Sequence, residues 1–382
     1  MDFTISEEHR LLAQPVRRFV QEELIPLERS GHELPADLQQ SLRRRTWDLG
    51  LFMMHVPQEY GGGGVDTVGM CLVLEETAQT AVEADYIFGI DQPVNLLFYG
   101  NDAQKAKYLD PVVRGEKYFG FALSEPNAGS DAQAIQTTAV RDGDNWILNG
   151  SKLWISRMWV ADFAVVFAVT DKLKRARGGI TAFIVEKGTP GFEVLRLVPV
   201  MEEPSSRGPT ELSLKDVVVP AENVLGEEGF GFRIAQARLG AQRAYIAARC
   251  IGAARRALDL AVSYSKQRIT FGEPLASRQG IQWMLADAAL EIHAAHLMTL
   301  ECAWRWDQGL PMRAETSFAK LFASEMVCRV IDMSMQIHGG LGYSKELPLE
   351  RLYRRMRLYR IGEGASEIHR NVIAKQLFME SA

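Results

Sequence analysis

The chain has no apolar run approaching the roughly 18 residues that a membrane-crossing helix needs, so no span is expected. It also lacks an excess of positive charge: 43 Lys and Arg stand against 48 Asp and Glu. The formal net charge of -5 leaves no electrostatic footprint for a polyanion, and nucleic-acid binding is not expected. Cysteine is scarce, with 4 residues at Cys71, Cys250, Cys302 and Cys328, none in a CxxC spacing. They read as core fillers of a reducing compartment rather than as a disulfide framework or a metal site, and no metal is expected. The glycine cluster at residues 61–64 is not followed by Gly-Lys-Ser/Thr, so it reads as a connector rather than a P-loop. Met1-Asp2-Phe3 leads straight into a helical pattern without a basic n-region and apolar run, which favours a cytoplasmic protein over a secreted or imported one. Internal repeats and low-complexity segments are absent as well.

At 382 residues the chain is long enough for two or three domains. Up to about Tyr108 apolar residues recur at helical spacing, with Leu11, Val16, Phe19 and Val20 on one stripe and Met70, Leu72, Val73 and Leu74 opening another. Asp91-Gln92-Pro93 interrupts this stretch with polar residues. Near Tyr118 the period changes. Asn149-Gly150 between two β-prone runs at 146–155 predicts a hairpin, and short strands are expected at 163–169, 180–186, 192–198 and 211–219, with Pro220 as a plausible end. Helical periodicity then returns at 247–267, 281–308 and 314–339, lengths that suit a bundle. The chain reads helical over 1–117, β over 118–222 and helical over 223–382.

Three stretches carry candidate chemistry. Glu363 stands between Gly362 and Gly364, and two glycines within three residues would cost about 1–2 kcal/mol in a helix interior. The backbone there is expected to leave the helical region and to present the carboxylate at the mouth of a helix that starts near Ser366. A solvated glutamate in an ordinary loop is the plainer alternative. At residues 121–131, Ser124 and Ser130 supply hydroxyls, and Asn127 to Gly129 can turn N–H groups toward an anion, although a surface turn has the same composition. Trp154 beside Ser156 pairs an aromatic face with a hydroxyl, which suits a planar ring and is equally the pattern of a core tryptophan.

Five separated motifs occur in one order: 124–131, 149–156, 268–272, 336–342 and 363–367. On these the chain resembles the acyl-CoA dehydrogenase family over nearly its full length. The resemblance implies a mainly α fold with a central β domain: a helical N-terminal domain, a small antiparallel β barrel and a C-terminal four-helix bundle. It implies FAD as cofactor, an acyl-CoA substrate, a homotetramer, and electron-transfer flavoprotein as electron acceptor. By position, Phe121, Leu123, Ser124, Ser130, Trp154, Ile155 and Ser156 fall along the flavin. Arg268, Phe271, Gln279, Gln336, Gly339 and Gly340 fall where a neighbouring subunit reaches the adenosine and pyrophosphate, and Ala365 and Glu367 complete the cofactor contact. Ser130, Arg243 and Gly364 fall beside the substrate. Glu363 falls on the base that removes the α proton while a hydride leaves the β carbon for the flavin.

A minority of the family carries its base immediately before the arginine matched by Arg243. Here that position is Gln242, whose amide accepts no proton at useful pH, so Glu363 is the one candidate. Two departures separate this chain from the family pattern. Gly362 replaces a tyrosine that often walls the acyl pocket, and residues 201–210 lack the common Gly-x-Arg-x-Ser arrangement. Two other functions compete: a flavin oxidase of the same fold acting on an acyl-CoA or a nitroalkane with O₂ as acceptor, and a non-catalytic acyl-CoA- or flavin-binding protein. Nitroalkane-type relatives use an aspartate where Glu363 stands, and an intact base argues against a protein without turnover.

Overall fold

Ser6 opens the first helix, Glu7–Phe19, by accepting the His9 N–H at 3.1 Å, with Glu7 and Glu8 in the first turn and Arg17 and Arg18 in the last. Both charge placements complement the helix dipole. The computed structural model that shows this describes residues 4–30, 34–90, 94–312 and 314–380. The polar interruption at Asp91-Gln92-Pro93 lies outside the described residues. Two compact units emerge, one of residues 1–51, 65–88 and 240–382, the other of residues 52–64 and 89–239.

In the helical unit, Thr67–Thr77 is buried along nearly its whole length. Its N-terminus is satisfied twice. Asp66 accepts from Gly69 N at 2.7 Å, and Asp307, far along the chain, takes Thr67 N and Val68 N at 2.9 and 3.0 Å. The helix also buries two acids, each with partners. Glu75 meets Arg255 and, at 2.6 Å, His296, while Glu76 meets Arg17 at 2.7 Å. The bundle itself is built from the long helices Gly231–Gln267, Gln279–Asp307 and Glu315–His338, followed by Leu349–Arg357 and Ser366–Glu380. The first begins well before residue 247, where periodicity placed it. Gly240 breaks the apolar pattern there because Trp306 occupies the space of its side chain, and a Cβ would lie 2.0 Å from a ring carbon. Among the described residues no helix is long and apolar enough to cross a membrane.

The other unit is built on a sheet of β1 (Phe119–Ala122), β2 (Thr138–Asp142), β3 (Asn145–Ser156), β4 (Phe163–Val169), β5 (Ile180–Glu186), β6 (Phe192–Leu197), β7 (Pro209–Pro220) and β8 (Val224–Leu225). The order is β6-β7-β3-β2-β4-β5-β8, with β1 also on β4. Most pairs are antiparallel, while β4 pairs in parallel with β1 and β2. Phe163, Val165 and Phe167 enter one core, and Ala164, Val166 and Ala168 enter another on the opposite face. A strand covered on both faces needs no polar alternation, which is why β4 reads as one apolar run.

The Asn149-Gly150 pair does not turn a hairpin. β3 runs straight through it for 12 residues, and the ladder with β7 shifts register between Leu148 and Gly150. Asn149 Oδ1 accepts from Asp216 N at 2.9 Å and its Nδ2 donates to Asp216 Oδ1 at 3.1 Å, across from a β7 residue with φ of 51°. Gly150 is required because a Cβ would sit 2.5 Å from Thr137 Oγ1. The pair therefore serves a bulge. The β2–β3 hairpin turns instead at Gly143-Asp144, where Gly143 has φ of 58°. The glycines at 61–64 act as a connector: Cβ atoms at Gly62 and Gly63 would collide with the main chain of Val56 and Met54.

Within the helical unit Gly252 passes so close to Glu75 that a Cβ would lie 2.2 Å from its carbonyl oxygen. Replacing a mid-helix glycine by alanine ordinarily gains about 1 kcal/mol. Here the sign reverses. Gly252→Ala is expected to lose about 1–3 kcal/mol through forced separation of the two segments, read as a lower midpoint in chemical denaturation.

Candidate active site

In the β unit the site residues cluster where the 123–128 segment meets β3. Glu125 and Ala128 close a turn on each other through main-chain hydrogen bonds of 3.0 and 3.2 Å, so the Ala128 N–H is committed within the turn. Gly129, beside it, is open: nothing lies within 4 Å of a Cβ built there. The segment is fixed from below by Lys152. Its side chain is 0 % exposed, and its ammonium donates to Leu123 O at 3.1 Å and to Glu125 Oε1 at 2.8 Å. The Glu125 carboxylate in turn accepts from Gln136 N at 2.6 Å and Thr137 N at 2.9 Å. Burial works against its charge, yet Lys152 and these N–H groups hold its carboxyl below the usual range. Burial pushes the Lys152 ammonium down to about 8, against the pull of Glu125. A lysine at an inward position of a strand was the sequence signal for this anchor, and the motif reading passed over it.

Leu153 N donates to Ser124 O at 3.0 Å, tying the segment to β3 directly. One residue on, the chain breaks register with β7 between Leu153 and Ile155, and Trp154 takes φ of 66°. Its indole is 54 % exposed. The core-tryptophan alternative therefore fails, since core positions do not hold a large aromatic in the left-handed region with half its surface open. Ile155 is buried, and its carbonyl accepts Thr210 Oγ1 at 2.7 Å, while Ser156 is exposed. Phe121 is half-buried, packed edge-on against Phe167 with the Arg238 guanidinium 4.6 Å above its ring, and Leu123 is buried. Ser124 is half-buried and Ser130 exposed.

In the helical unit, Ile361 N and Gly362 N both fold back onto Leu358 O, at 2.8 and 2.9 Å, and the chain then turns left-handed at Glu363 (φ 55°) and Gly364 (φ 96°) before Ser366–Glu380 starts. The non-helical backbone expected from the flanking glycines is present. Glu363 is half-buried. Three groups hold the turn. Lys320, 0 % exposed on Glu315–His338, donates to Gly364 O at 2.5 Å. His369 N donates to Ala365 O at 3.2 Å. The buried His369 imidazole places Nδ1 3.1 Å from Ser317 Oγ and turns Nε2 to Gly364, where a Cβ would come within 2.9 Å. Arg243 reaches Thr316 Oγ1 at 3.4 Å; burial lowers its pKa and the Glu363 charge opposes that. Lys320 was missed in the sequence because it lies within a largely apolar helical stretch and matches no motif, and His369, just beyond the 363–367 motif, stands among polar residues that gave no sign of its burial.

The remaining candidates of this unit lie at two further places. Arg268 precedes a small hairpin, β9 (Ile269–Thr270) and β10 (Glu273–Pro274), whose turn holds Phe271 at φ of 52° with its ring 100 % exposed. Gln279, at the start of Gln279–Asp307, is exposed too. Gln336 is exposed near the end of Glu315–His338, and Gly339 and Gly340 are open to any approach. Tyr264 stacks on His338 at 4.5 Å, joining the end of the long helix that precedes Arg268 to the residue before Gly339. Ala365 is half-buried and Glu367 exposed.

Residues 6–116, 120–217 and 229–378 match models of the acyl-CoA dehydrogenase N-terminal, middle and C-terminal domains. The chain is 40% identical over 381 residues to the mitochondrial short-chain specific acyl-CoA dehydrogenase of Homo sapiens, covering 98% of this chain and 90% of that one. The fold is similar to that of butyryl-CoA dehydrogenase from Megasphaera elsdenii, with a TM-score of 0.88 at 36% identity over 99% of this chain and 100% of that one. It is also similar to the FAD complex of PigA, with a TM-score of 0.90 at 26% identity and full coverage of both chains.

Removing only one partner of the buried Lys152–Glu125 pair leaves a charge without compensation. Lys152→Met is expected to cost about 3–5 kcal/mol, whereas Lys152→Met with Glu125→Gln loses markedly less. Denaturant unfolding of the two variants beside the parent protein checks both statements.

Proposed function

The chain belongs to the acyl-CoA dehydrogenase family of oxidoreductases, and from that premise we propose that it removes the α and β hydrogens of an acyl-CoA thioester with Glu363 as the α-proton base. The observation that carries the reading is the left-handed Glu363–Gly364 turn, which fixes a half-buried carboxylate beside Arg243 and Lys320. Holding a non-glycine residue there costs on the order of 1 kcal/mol, and such positions gather at sites of function. Gln242 cannot substitute for it.

FAD is the cofactor of this reading, and the residues present fit it. Trp154 and Phe271 are large rings held in strained, open positions that need a flat partner, and Gly129, Gly339 and Gly340 leave main chain accessible to a close approach. Phe121, Leu123, Ser124, Ser130, Trp154, Ile155 and Ser156 would hold the flavin. Arg268, Phe271, Gln279, Gln336, Gly339 and Gly340 would serve the adenosine and pyrophosphate, with the exposed members reached from a second subunit of a homotetramer, and Ala365 and Glu367 would complete the contact. Bound there, FAD supplies the acceptor for the hydride of the β carbon. The chain's own part is to orient the thioester, exclude water and take the α proton on a Glu363 carboxylate oxygen. The main-chain N–H of Glu363, aimed by the turn, is the donor we assign to the thioester oxygen, where negative charge develops. Ser130, Arg243 and Gly364 are assigned to the CoA side of the substrate, and electron-transfer flavoprotein to reoxidation.

The short-chain specificity in a relative's name supports a short acyl group, and position 362 bears on its branching. A Cβ built on Gly362 meets nothing nearer than Leu358 O at 3.7 Å, so a side chain fits there and its absence widens the space beside the base. We assign to this chain a short acyl group with room for branching next to the α and β carbons.

Anaerobic mixing with butyryl-CoA tests the base. Glu363→Gln is expected to keep fold, FAD and acyl-CoA binding and to lose flavin reduction by several orders of magnitude. A Gln variant that bleaches flavin at near the parent rate would place the base elsewhere.

Substrate choice is tested separately. Each methylene buried in an apolar pocket is worth about 0.8 kcal/mol, so Gly362→Tyr should depress kcat/KM for branched or cyclic acyl-CoAs far more than for butyryl- or hexanoyl-CoA. Equal losses across the panel would remove the reason for assigning Gly362 this role.

A further inference from the structure

We propose that Lys320 is a positioning residue for the base: bonded to the carbonyl of Gly364, its ammonium locks the left-handed turn and sets a positive charge behind the Glu363 carboxylate. The inference rests on the reading of Glu363 as base and adds a residue that reading does not contain.

An ammonium with no exposed surface is expensive to keep in a helical core, where methionine would fill nearly the same volume at no electrostatic cost. Its one hydrogen bond among the described residues is to Gly364 O, and no carboxylate stands in ion-pair contact with it. Packing alone therefore does not account for the charge. The geometry around it does. Ser317 and Lys320 lie three residues apart on one face of Glu315–His338, and that face meets the turn and its following helix at two points, Gly364 O and the His369 imidazole. The His369 ring closes the far side of Gly364, where even a methyl group would not fit. Gly364 is thus held from two sides, and on the other side of Glu363 the Gly362 N–H is bonded to Leu358 O at 2.9 Å, which restrains how the carboxylate is presented.

The titratable and charged groups facing Lys320 come from three elements. Arg243 and Cys250 stand on Gly231–Gln267, Glu363 on the turn, and His369 on Ser366–Glu380. Burial, then the charges of Lys320 and Arg243, pushes His369 down to about 4, so its imidazole is neutral at any working pH and does not compete as the switch. Burial and Arg243 push Lys320 down to about 8, with Cys250 and Glu363 acting against them, which places its loss of charge inside the range where an enzyme is assayed. Below that pH the turn is backed by a cation; above it the carbonyl keeps at most a neutral donor.

The test measures the rate constant of flavin reduction by saturating butyryl-CoA from pH 6 to 10 in holoenzyme, with FAD content, melting temperature and butyryl-CoA affinity measured alongside. The parent enzyme is expected to lose rate along an alkaline limb centred near 8. Lys320→Met is expected to run on the order of 10–100-fold slower at pH 7, the scale of an ångström-sized misplacement, with that limb gone and with butyryl-CoA affinity held within about threefold. Lys320→Arg keeps its charge throughout, so it should restore much of the rate and also lack the limb; it carries the test if the Met variant fails to fold. A Lys320→Met enzyme with the parent rate and the parent alkaline limb overturns the proposal, as does an Arg variant that retains the limb. A fast Glu363→Gln enzyme would instead overturn the base assignment, whereas an inert one beside an unaltered Lys320→Met overturns this inference alone.

Discussion

A lysine ammonium stripped of water must be paired or bonded within the protein, and in this chain that requirement falls twice on the main chain of a loop that carries candidate site residues. Lys152 and Lys320 are both fully buried, and each donates to a carbonyl of a loop at the candidate site, Leu123 O in one unit and Gly364 O in the other. The cost of desolvating either cation is several kcal/mol, so any movement of the carbonyl it serves is resisted by far more than a single neutral hydrogen bond would supply. The two differ in what completes them. Lys152 has Glu125, whose own carboxylate is bonded to two N–H groups, and the set closes on itself as a structural anchor. Lys320 has no such acid in contact, and the negative charge it faces is that of Glu363. One buried cation is therefore completed within the scaffold of its loop, and the other, on the proposed reading, serves the chemistry presented by its loop.

Rigid anchors explain how the chain sustains backbone strain where it does. Among the described residues seven that are not glycine have positive φ, including Trp154, Phe271 and Glu363. Asp216, another of them, is explained by its paired hydrogen bonds to Asn149 across the β3 bulge. Trp154 and Phe271 have no comparable reward in their own side chains, which stand open to solvent. A conformation that costs on the order of 1–3 kcal/mol and leaves a large ring exposed persists because flanking structure over-determines it: the Leu153–Ser124 bond and the buried Ile155 on one side, the β9–β10 hairpin on the other. On the proposed reading a flat ligand covers these rings, and both fall in motifs that the sequence had already singled out.

Much of the fold was legible in the sequence by period, while the candidate sites were singled out by motif, and each failure has a local cause. β4 and β5 were placed to the residue because a strand covered on both faces is an unbroken apolar run with turn formers at each end. The helix Gly231–Gln267 was entered late because glycines at 231 and 240, the latter accommodating an indole, erase helical periodicity. Asn149-Gly150 misled because the residue types that favour a tight turn also favour a bulge, and the choice between them is made by β7, a strand some sixty residues away that no window spans. Lys320 and His369 were illegible for a different reason. Their contacts come from side chains meeting across 44 and 52 residues of chain, and a polar residue within a helix carries no signature of the partner it will find.

Charge around the base also constrains what the turn can do. With His369 neutral, two cations of the helical unit, Arg243 and Lys320, interact with the Glu363 charge. On the reading that Glu363 takes a proton, its negative charge leaves the carboxylate in the same step that loads negative charge onto the α carbon and thioester oxygen of the substrate. The two cations do not move. Lys320 is buried and bonded to Gly364 O, and Arg243 is half-buried and reaches Thr316 Oγ1, so both charges are oriented before the reaction and stabilise the substrate anion without reorganising. A neutral residue at position 320 would leave the turn without its bonded anchor and with one of the two oriented charges gone. The substrate anion would then form against a weaker field even where the geometry of the turn survived.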